Sequence, residues 1–476
     1  MRVIVIGGGI AGLTAGFLAD QAGHDVIVVD PSPSPGGLIR TETHDGFLCE
    51  TGPQAIMDDA PDSLALLQAL NLDTRLVPAS RAAKRRFIFA RGHLRPVPMS
   101  PPALLSSGLL SVGGKLRLLS EPWIRRASLH DANDDHESIA AFGQRRLGQE
   151  ASQTLLSTAT IGIYAGETTG LSMASAFPRI ANMEREHGSL FRGVLAGRKV
   201  RNPDGSVTPR KASHPVSFPG GLGELVDAMV SRLGRRVVRA RATELRPLSK
   251  AQARWQVSTE GNPTGVFEAE SVILAATASS ATSLLRPVLA SSPGVTSDGA
   301  EAALSVLTNM RRAPIALVCL GFRDATSSSM GMDLDAYGFL VARGEKPLTL
   351  GCQYESSIFP GRAPDGSVLL RVILGGVGAG FDPGIIDQPD DIITSRALGD
   401  LRSITGLKRD PDLVRIWRHA DGIPQYAPGH AARRATFDNA IGYHPGLYVI
   451  GHSLRGVGVN EGIRAASETI RQLHRP

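Results

Sequence analysis

Glycines 7, 9 and 12 stand at G-x-G-x-x-G spacing in "MRVIVIGGGIAGLTAGFLADQAGHDVIVVD" and mark the first place where this chain could do chemistry. Gly7 permits a tight turn, Gly9 lets a pyrophosphate approach the backbone, and Gly12 lets a helix pack closely on a strand. The glycines are framed accordingly: an apolar strand, Val3 to Ile6, precedes them, and a helical stretch to about Ala22 follows. A second apolar strand, Val26 to Val29, ends in Asp30, placed to accept hydrogen bonds from a ribose hydroxyl. The N–H groups at the helix start would face the phosphates. A Gly-rich turn alone is weak, but the strand-helix-strand frame with its terminal acid predicts a dinucleotide site.

A second corner of the same kind closes the chain. In "YVIGHSLRGVGVNEGIRAA" an apolar strand, Tyr448 to Ile450, runs into Gly451, Gly456 and Gly458, and a helix is predicted from Asn460. Between the corners, "SPGGLIRTETHDGFLCETGP" carries the doublet Gly36-Gly37 and, further on, Gly52-Pro53. A doublet there would let another loop close over the pyrophosphate, as when a dinucleotide is held extended with its far end deep in the protein. The expected cofactor is therefore FAD, with the first corner on the adenosine diphosphate half. The second corner, through Gly451, Val457, Gly458, Val459 and Asn460, would serve the flavin pyrimidine edge. The positive end of its helix would stabilise negative charge on a reduced flavin. The absence of a cysteine near that corner argues for non-covalent binding.

The elements that position these corners need a large fold, and the composition supplies one: 476 residues, 42% of them hydrophobic, are enough for two or three domains. Cys49, Cys319 and Cys352 are widely spaced in apolar surroundings, which suits reduced core thiols and indicates neither a disulfide framework nor a metal site. The apolar run from Val3 to Ala19 is too glycine-rich, and lacks the cleavage site, to read as a signal sequence. Net charge is +6, yet the segment from Arg81 to Arg126 holds ten Lys or Arg and one acid, Glu121. Within it, Pro96 to Gly114 is uncharged but too rich in proline and glycine for a spanning helix, and Trp123 follows. Such a stretch suits a peripheral rest on an anionic membrane surface from the cytoplasm; a helical subdomain with a solvated basic rim accounts for it as well. No nucleic-acid-binding motif accompanies the charge.

The doublet, "CETGP", "SFPGGLGELVDAM" (217–229), "GIPQYAPGH" (422–430) and "GVGVNEGI" together resemble the FAD-dependent protoporphyrinogen oxidases of haem synthesis, within the flavin amine oxidase superfamily. "AAKRRFIFARGHLRPVPMSPPALL" and "IGIYAGETTGLSMASAFP" resemble that family's segments and separate it from amine oxidases generally. The resemblance covers the whole chain. It implies a six-electron oxidation of protoporphyrinogen IX in three two-electron steps, with molecular oxygen reoxidising the flavin. No side-chain nucleophile or strong base is required, so the protein positions and stabilises.

Carried over by position, the resemblance makes Arg86 the ligand of a substrate carboxylate, although Lys84, Arg85 and Arg91 stand near enough for the register to slip. It makes Gly162 the backbone acceptor for pyrrole N–H groups, Tyr337 and Leu340 an apolar clamp, and Ile373 the opposite wall; core packing would account for the last three equally. Ala242 falls at a strand position near the adenine. Departures are Ser34-Pro35, where the family has a basic residue before the doublet, Asp30 in place of the commoner Glu, and "NEGI" at 460–463.

The resulting expectation is an α/β protein: a discontinuous Rossmann-like FAD domain (1–79, 215–290, 420–476), a mixed-sheet substrate domain (291–419), and a helical, membrane-associating insertion (80–214). "RKVRNPDGSVTPRKASHP" reads as an exposed loop, and a homodimer stands as a candidate assembly. Coproporphyrinogen III, with four carboxylates instead of two, is the alternative substrate. A flavin amine oxidase is a weaker rival, because the only lysine between 291 and 376 is Lys346, in a turn-like "RGEKP".

Overall fold

The computed structural model describes residues 1–98, 101–126, 135–197, 199–201, 207–209, 213–248, 254–291 and 296–473. Two seven-stranded sheets organise the chain. In the first, five parallel strands (Val237–Pro247, Asp25–Asp30, Arg2–Ile6, Ser271–Leu274, Leu447–Val449) lie side by side. Antiparallel strands Trp255–Asn262 and Gly265–Ala269 extend one edge. Arg2–Ile6 and Ser271–Leu274 are nearly continuous apolar runs because the sheet is covered on both faces. One face packs on the helices Ile10–Gln21, Gly223–Leu233 and Val459–Leu473, and the other on Ala278–Ala290, Ser297–Thr308 and His430–Gly442. Both glycine corners thus follow the carboxyl ends of strands in one parallel sheet, where ligands of open α/β sheets bind.

The second sheet is mixed, in the order Leu413–Pro424, Arg312–Phe322, Val368–Gly375, Gly351–Gln353, Gly338–Val341, Arg86–Ala90, His93–Pro96. The boundary expected at residue 80 needs correction: residues 86–96, grouped by sequence with the helical insertion, form a hairpin that completes this sheet. Its strand Arg86–Ala90 runs parallel to Gly338–Val341, with Arg86 paired to Gly338. The alternating Arg-Phe-Ile-Phe-Ala pattern explains it, since Phe89 joins one core and Ile88 and Ala90 another on the opposite face.

From 101 to 196 the described chain is helical. Its ends are fixed by charge: buried Glu121 accepts from Ser189 Oγ (2.6 Å) and the Leu190 N–H (2.8 Å) and pairs with buried Arg146. Hydrogen bonds lower the Glu121 pKa against the opposing effect of burial. Half of the loop expected at 198–215 lies outside the described residues; in the other half, Lys199–Arg201 and Val207–Pro209 pair as short antiparallel strands, so the expectation of a plain loop is corrected there. No helix among the described residues is long and apolar enough to cross a membrane.

Candidate active site

Between strand Arg2–Ile6 and helix Ile10–Gln21 the first corner is built so tightly that side chains are excluded. A Cβ on Gly7 (φ +109°) would lie 2.5 Å from the Ala275 carbonyl oxygen, and one on Gly12 would lie 1.9 Å from that of Gly7. At Gly9, by contrast, a Cβ would meet nothing within 4 Å, so this turn faces open space. The helix beginning at Ile10 has no side-chain cap, and the N–H groups of Ile10 and Ala11 donate to nothing among the described residues. Asp30 accepts from the Gly8 N–H (2.6 Å) and the Ser32 N–H (2.8 Å), which holds the turn in shape and leaves further lone pairs on each oxygen.

The doublet closes over this turn. Gly36 donates its N–H to the Gly8 carbonyl (2.7 Å), and a Cβ on Gly37 (φ +62°) would come within 3.2 Å of Gly9 Cα. Gly52 packs behind, where a Cβ would lie 2.0 Å from the Leu38 oxygen, and Pro53 beside it is half-buried. At the second corner Gly451 (φ +131°) again faces open space. The N–H groups of Val459 and Asn460, at the start of helix Val459–Leu473, have no partner among the described residues. The Asn460 side-chain amide donates to the Met57 carbonyl (2.9 Å), which fixes the residue while its backbone N–H stays free for a ligand. Gly458 is exposed and Val457 packs against the helical core near Tyr426. Ala242 is half-buried where the pairing of its strand shifts register. Two uncapped helix starts, two open glycines and a sealing doublet fit an extended dinucleotide. Helix contacts bring the two corners together, since a Cβ on Gly462 would touch Ile10 Cγ2 at 3.0 Å.

On the second sheet the sequence-nominated residues fall into two adjacent rows. Arg86, Gly338, Gln353 and Arg371 are registered across four strands. Two residues along, Ile88, Leu340, Gly351 and Ile373 form the next row on the same face. Gly338 and Gly351 carry no side chain, so the half-buried Leu340 and Ile373 flank a trough. Helix Ser157–Tyr164 lies above it: a Cβ on Gly162 would meet Leu340 Cδ1 at 2.8 Å. Gly162 is in the last turn, where carbonyls lack helical partners. The carbonyls of Ile161, Tyr164 and Ala165 accept from Ala165 N–H, Gln425 Nε2 and Val377 N–H, while that of Gly162 accepts nothing among the described residues.

The basic run divides by its partners: Arg91 pairs with Glu150 (2.6 Å), and Lys84 has no ion pair among the described residues. Arg85 donates to Asp333 (2.8 Å) and Asp335 (2.9 Å), which raises its pKa, whereas Arg86 has no ion pair among the described residues and lies over the Tyr337 ring at 4.8 Å. Tyr337 leads into a buried polar network that sequence reasoning missed. Its hydroxyl donates to Gln54 Oε1 (3.0 Å), and Gln54 Nε2 donates to Glu355 Oε1 (3.0 Å). Arg371 pairs with Glu355 (2.7 Å), and its Nη1 donates to the Gly52 carbonyl (2.6 Å); Arg362 pairs with Glu50 (3.2 Å). Two carboxylates and two guanidiniums, all nearly or fully buried, balance in charge. Burial still holds Glu50 above the usual carboxylate range, against the pull of Arg362. Tyr337 is likewise raised by burial and stays a neutral donor. The network ties the trough to the Gly52 loop of the cradle.

A cradle for a dinucleotide therefore adjoins an apolar trough bordered by Arg86, a guanidinium without an ion pair among the described residues. The family model described as flavin containing amine oxidoreductase matches residues 10–470. The chain belongs to the flavin-containing amine oxidoreductase family. As a member, it is a FAD-dependent oxidoreductase. Among curated relatives of this family, it is 32% identical to the chloroplastic protoporphyrinogen oxidase of Oryza sativa subsp. japonica, over 99% of this chain and 87% of that protein. It is 29% identical to the coproporphyrinogen III oxidase of Bacillus subtilis (strain 168), over 99% and 98%. A solved structure from Exiguobacterium sp. 255-15 shares the fold with a TM-score of 0.78 and 24% identity, over 99% and 98% of the two chains.

Proposed function

We propose that this flavoenzyme oxidises protoporphyrinogen IX to protoporphyrin IX, with molecular oxygen as the final acceptor. The single observation that carries the reading is the glycine-floored trough beside the cradle, with Arg86 at its mouth free of an ion pair among the described residues. The name of the Oryza sativa relative agrees with it, whereas that of the Bacillus subtilis relative carries the alternative substrate. FAD would be held by Gly7, Gly9 and Gly12, the doublet 36–37, Gly52 and the backbone at Gly451 and 458–460, without a covalent link. When bound, it supplies the two-electron acceptor for hydrogen leaving the macrocycle.

The chain's own residues orient the substrate. Arg86 would take a propionate in a planar fork, which a lysine cannot match. Leu340 and Ile373 exclude water from the ring, and the Gly162 carbonyl accepts from pyrrole N–H groups. No side chain acts as acid, base or nucleophile. An amine oxidase is disfavoured because Lys346 is exposed in its turn, outside the trough.

Coproporphyrinogen III is a second reading, favoured by a specific observation at Arg343 described below. The test is aerobic fluorescence of porphyrin formation by the purified holoenzyme on each porphyrinogen, prepared anaerobically. Faster turnover of protoporphyrinogen supports the first reading; equal or greater activity on coproporphyrinogen overturns it.

The enzyme is further proposed to rest on an anionic membrane. Val112 (74% exposed), Leu116 (64%) and Leu119 share one face of helix Val112–Leu119. Trp123 (80%) and Leu195 (60%) lie on elements close by, with exposed Arg125, Arg126 and Arg192 beside them. Co-sedimentation with phosphatidylglycerol vesicles should be strong in the native protein and weak in Trp123→Ser. Equal sedimentation of the two proteins would count against this face.

A further inference from the structure

Arg343 follows strand Gly338–Val341 by two residues, three beyond Leu340. Its guanidinium lies 4.5 Å over the Phe381 ring, and its Nη1 is buried without a hydrogen-bond partner. No carboxylate pairs with it among the described residues. Glu167, the acid whose field reaches it, accepts instead from the Ala379 N–H (3.3 Å). Burial disfavours its charged form, and the field of Glu167 offsets this only in part. Phe381 belongs to the apolar cluster of Ile161, Leu350, Ile373 and Val377, which includes the trough wall. The Arg343–Phe381 stack therefore lies at the end of the trough away from Arg86. Gly338, paired with Arg86, precedes Arg343 by five residues, at most ~16 Å of extended chain.

A stacked guanidinium with an empty buried nitrogen is preorganised for a planar anion. Protoporphyrinogen IX carries its two propionates on neighbouring rings, so one anchored at Arg86 leaves no carboxylate at the opposite edge. Coproporphyrinogen III carries a propionate on every ring. We propose that Arg343 is a second carboxylate anchor, at the far end of the trough from Arg86, which recognises a porphyrinogen bearing carboxylates on opposite edges. This rests on the porphyrinogen reading above and adds to it: Arg343 sets how well the tetracarboxylate competes with the dicarboxylate.

The experiment compares kcat and KM of native holoenzyme, Arg343→Met and Arg343→Lys on both porphyrinogens. Loss of a charge-assisted contact should raise KM for coproporphyrinogen ~10- to 100-fold in Arg343→Met, with kcat little changed. Protoporphyrinogen turnover should stay within about twofold, which also reports that the variant folds. Arg343→Lys, keeping the charge but not the fork, should fall between. Parallel losses on both substrates, no loss on coproporphyrinogen, or identical behaviour of the two variants would each overturn the assignment. If the native protein oxidises neither porphyrinogen, the substrate class itself fails, an outcome distinct from failure of Arg343.

Discussion

In the first sheet chemistry is offered by the backbone: uncapped helix starts at Ile10 and Val459, and glycines at 7, 12 and 52 where a single Cβ would strike a carbonyl. In the second sheet it is offered by side chains from strands far apart in sequence, joined by buried charge around Glu50, Glu355, Arg362 and Arg371. A cofactor of fixed structure suits a site made of main chain, which holds one shape whatever the surrounding side chains. A substrate pocket must discriminate, and side chains can be exchanged without rebuilding the turn that holds the cofactor.

The difference predicts unequal consequences of substitution. Arg371→Met strands Glu355 in the interior and removes the tie to the Gly52 carbonyl. Its cost should be the largest, about 3–5 kcal/mol in denaturant unfolding. Adding Glu355→Leu should recover much of that loss; a double variant as unstable as the single one would mean that packing, not charge, joins the sheets. Gly12→Ala should cost less, about 1–3 kcal/mol, because the strain is local overpacking against the Gly7 oxygen. Its signature should be a folded but colourless protein. A Gly12→Ala protein that keeps its flavin would contradict a cradle of fixed backbone.

A smaller effect concerns acid. His452, in the cradle, and His419, whose Nε2 lies 2.6 Å from the Thr51 oxygen, both have pKa values lowered chiefly by burial. Each is neutral when folded, so the unfolded chain binds more protons below the ordinary histidine range. Stability should be full at neutral pH and decline as the pH falls below about 6.5, before most carboxylates titrate. His419→Gln should flatten that slope in denaturant melts. An unchanged slope would assign the acid sensitivity to other groups.

The two regions also differed in how far the sequence disclosed them. Gly7, Gly9, Gly12, the doublet and the closing corner are local spacings whose meaning is steric, so they could be read without knowing the fold. The trough could not be read in this way. Gly338 and Gly351 become a floor only when three strands pair in one register, and that pairing is decided by packing across the sheet. Arg86 was reached by resemblance, and the engagement of Arg85 with Asp333 and Asp335 and of Arg91 with Glu150 separates it from those two neighbours. The strand Arg86–Ala90 was lost inside a basic segment judged by its charge, though its aromatic alternation was a readable signal. Arg371 and Glu355 left no sequence trace, because a buried ion pair has no fixed spacing.

The central claim is that cradle and trough present one substrate to one flavin, and anaerobic titration of the yellow holoenzyme with protoporphyrinogen IX tests it most directly. Six electrons leave the macrocycle in pairs, so one equivalent should bleach the absorbance of about three equivalents of bound flavin. Flavin that stays oxidised after excess substrate would contradict the account.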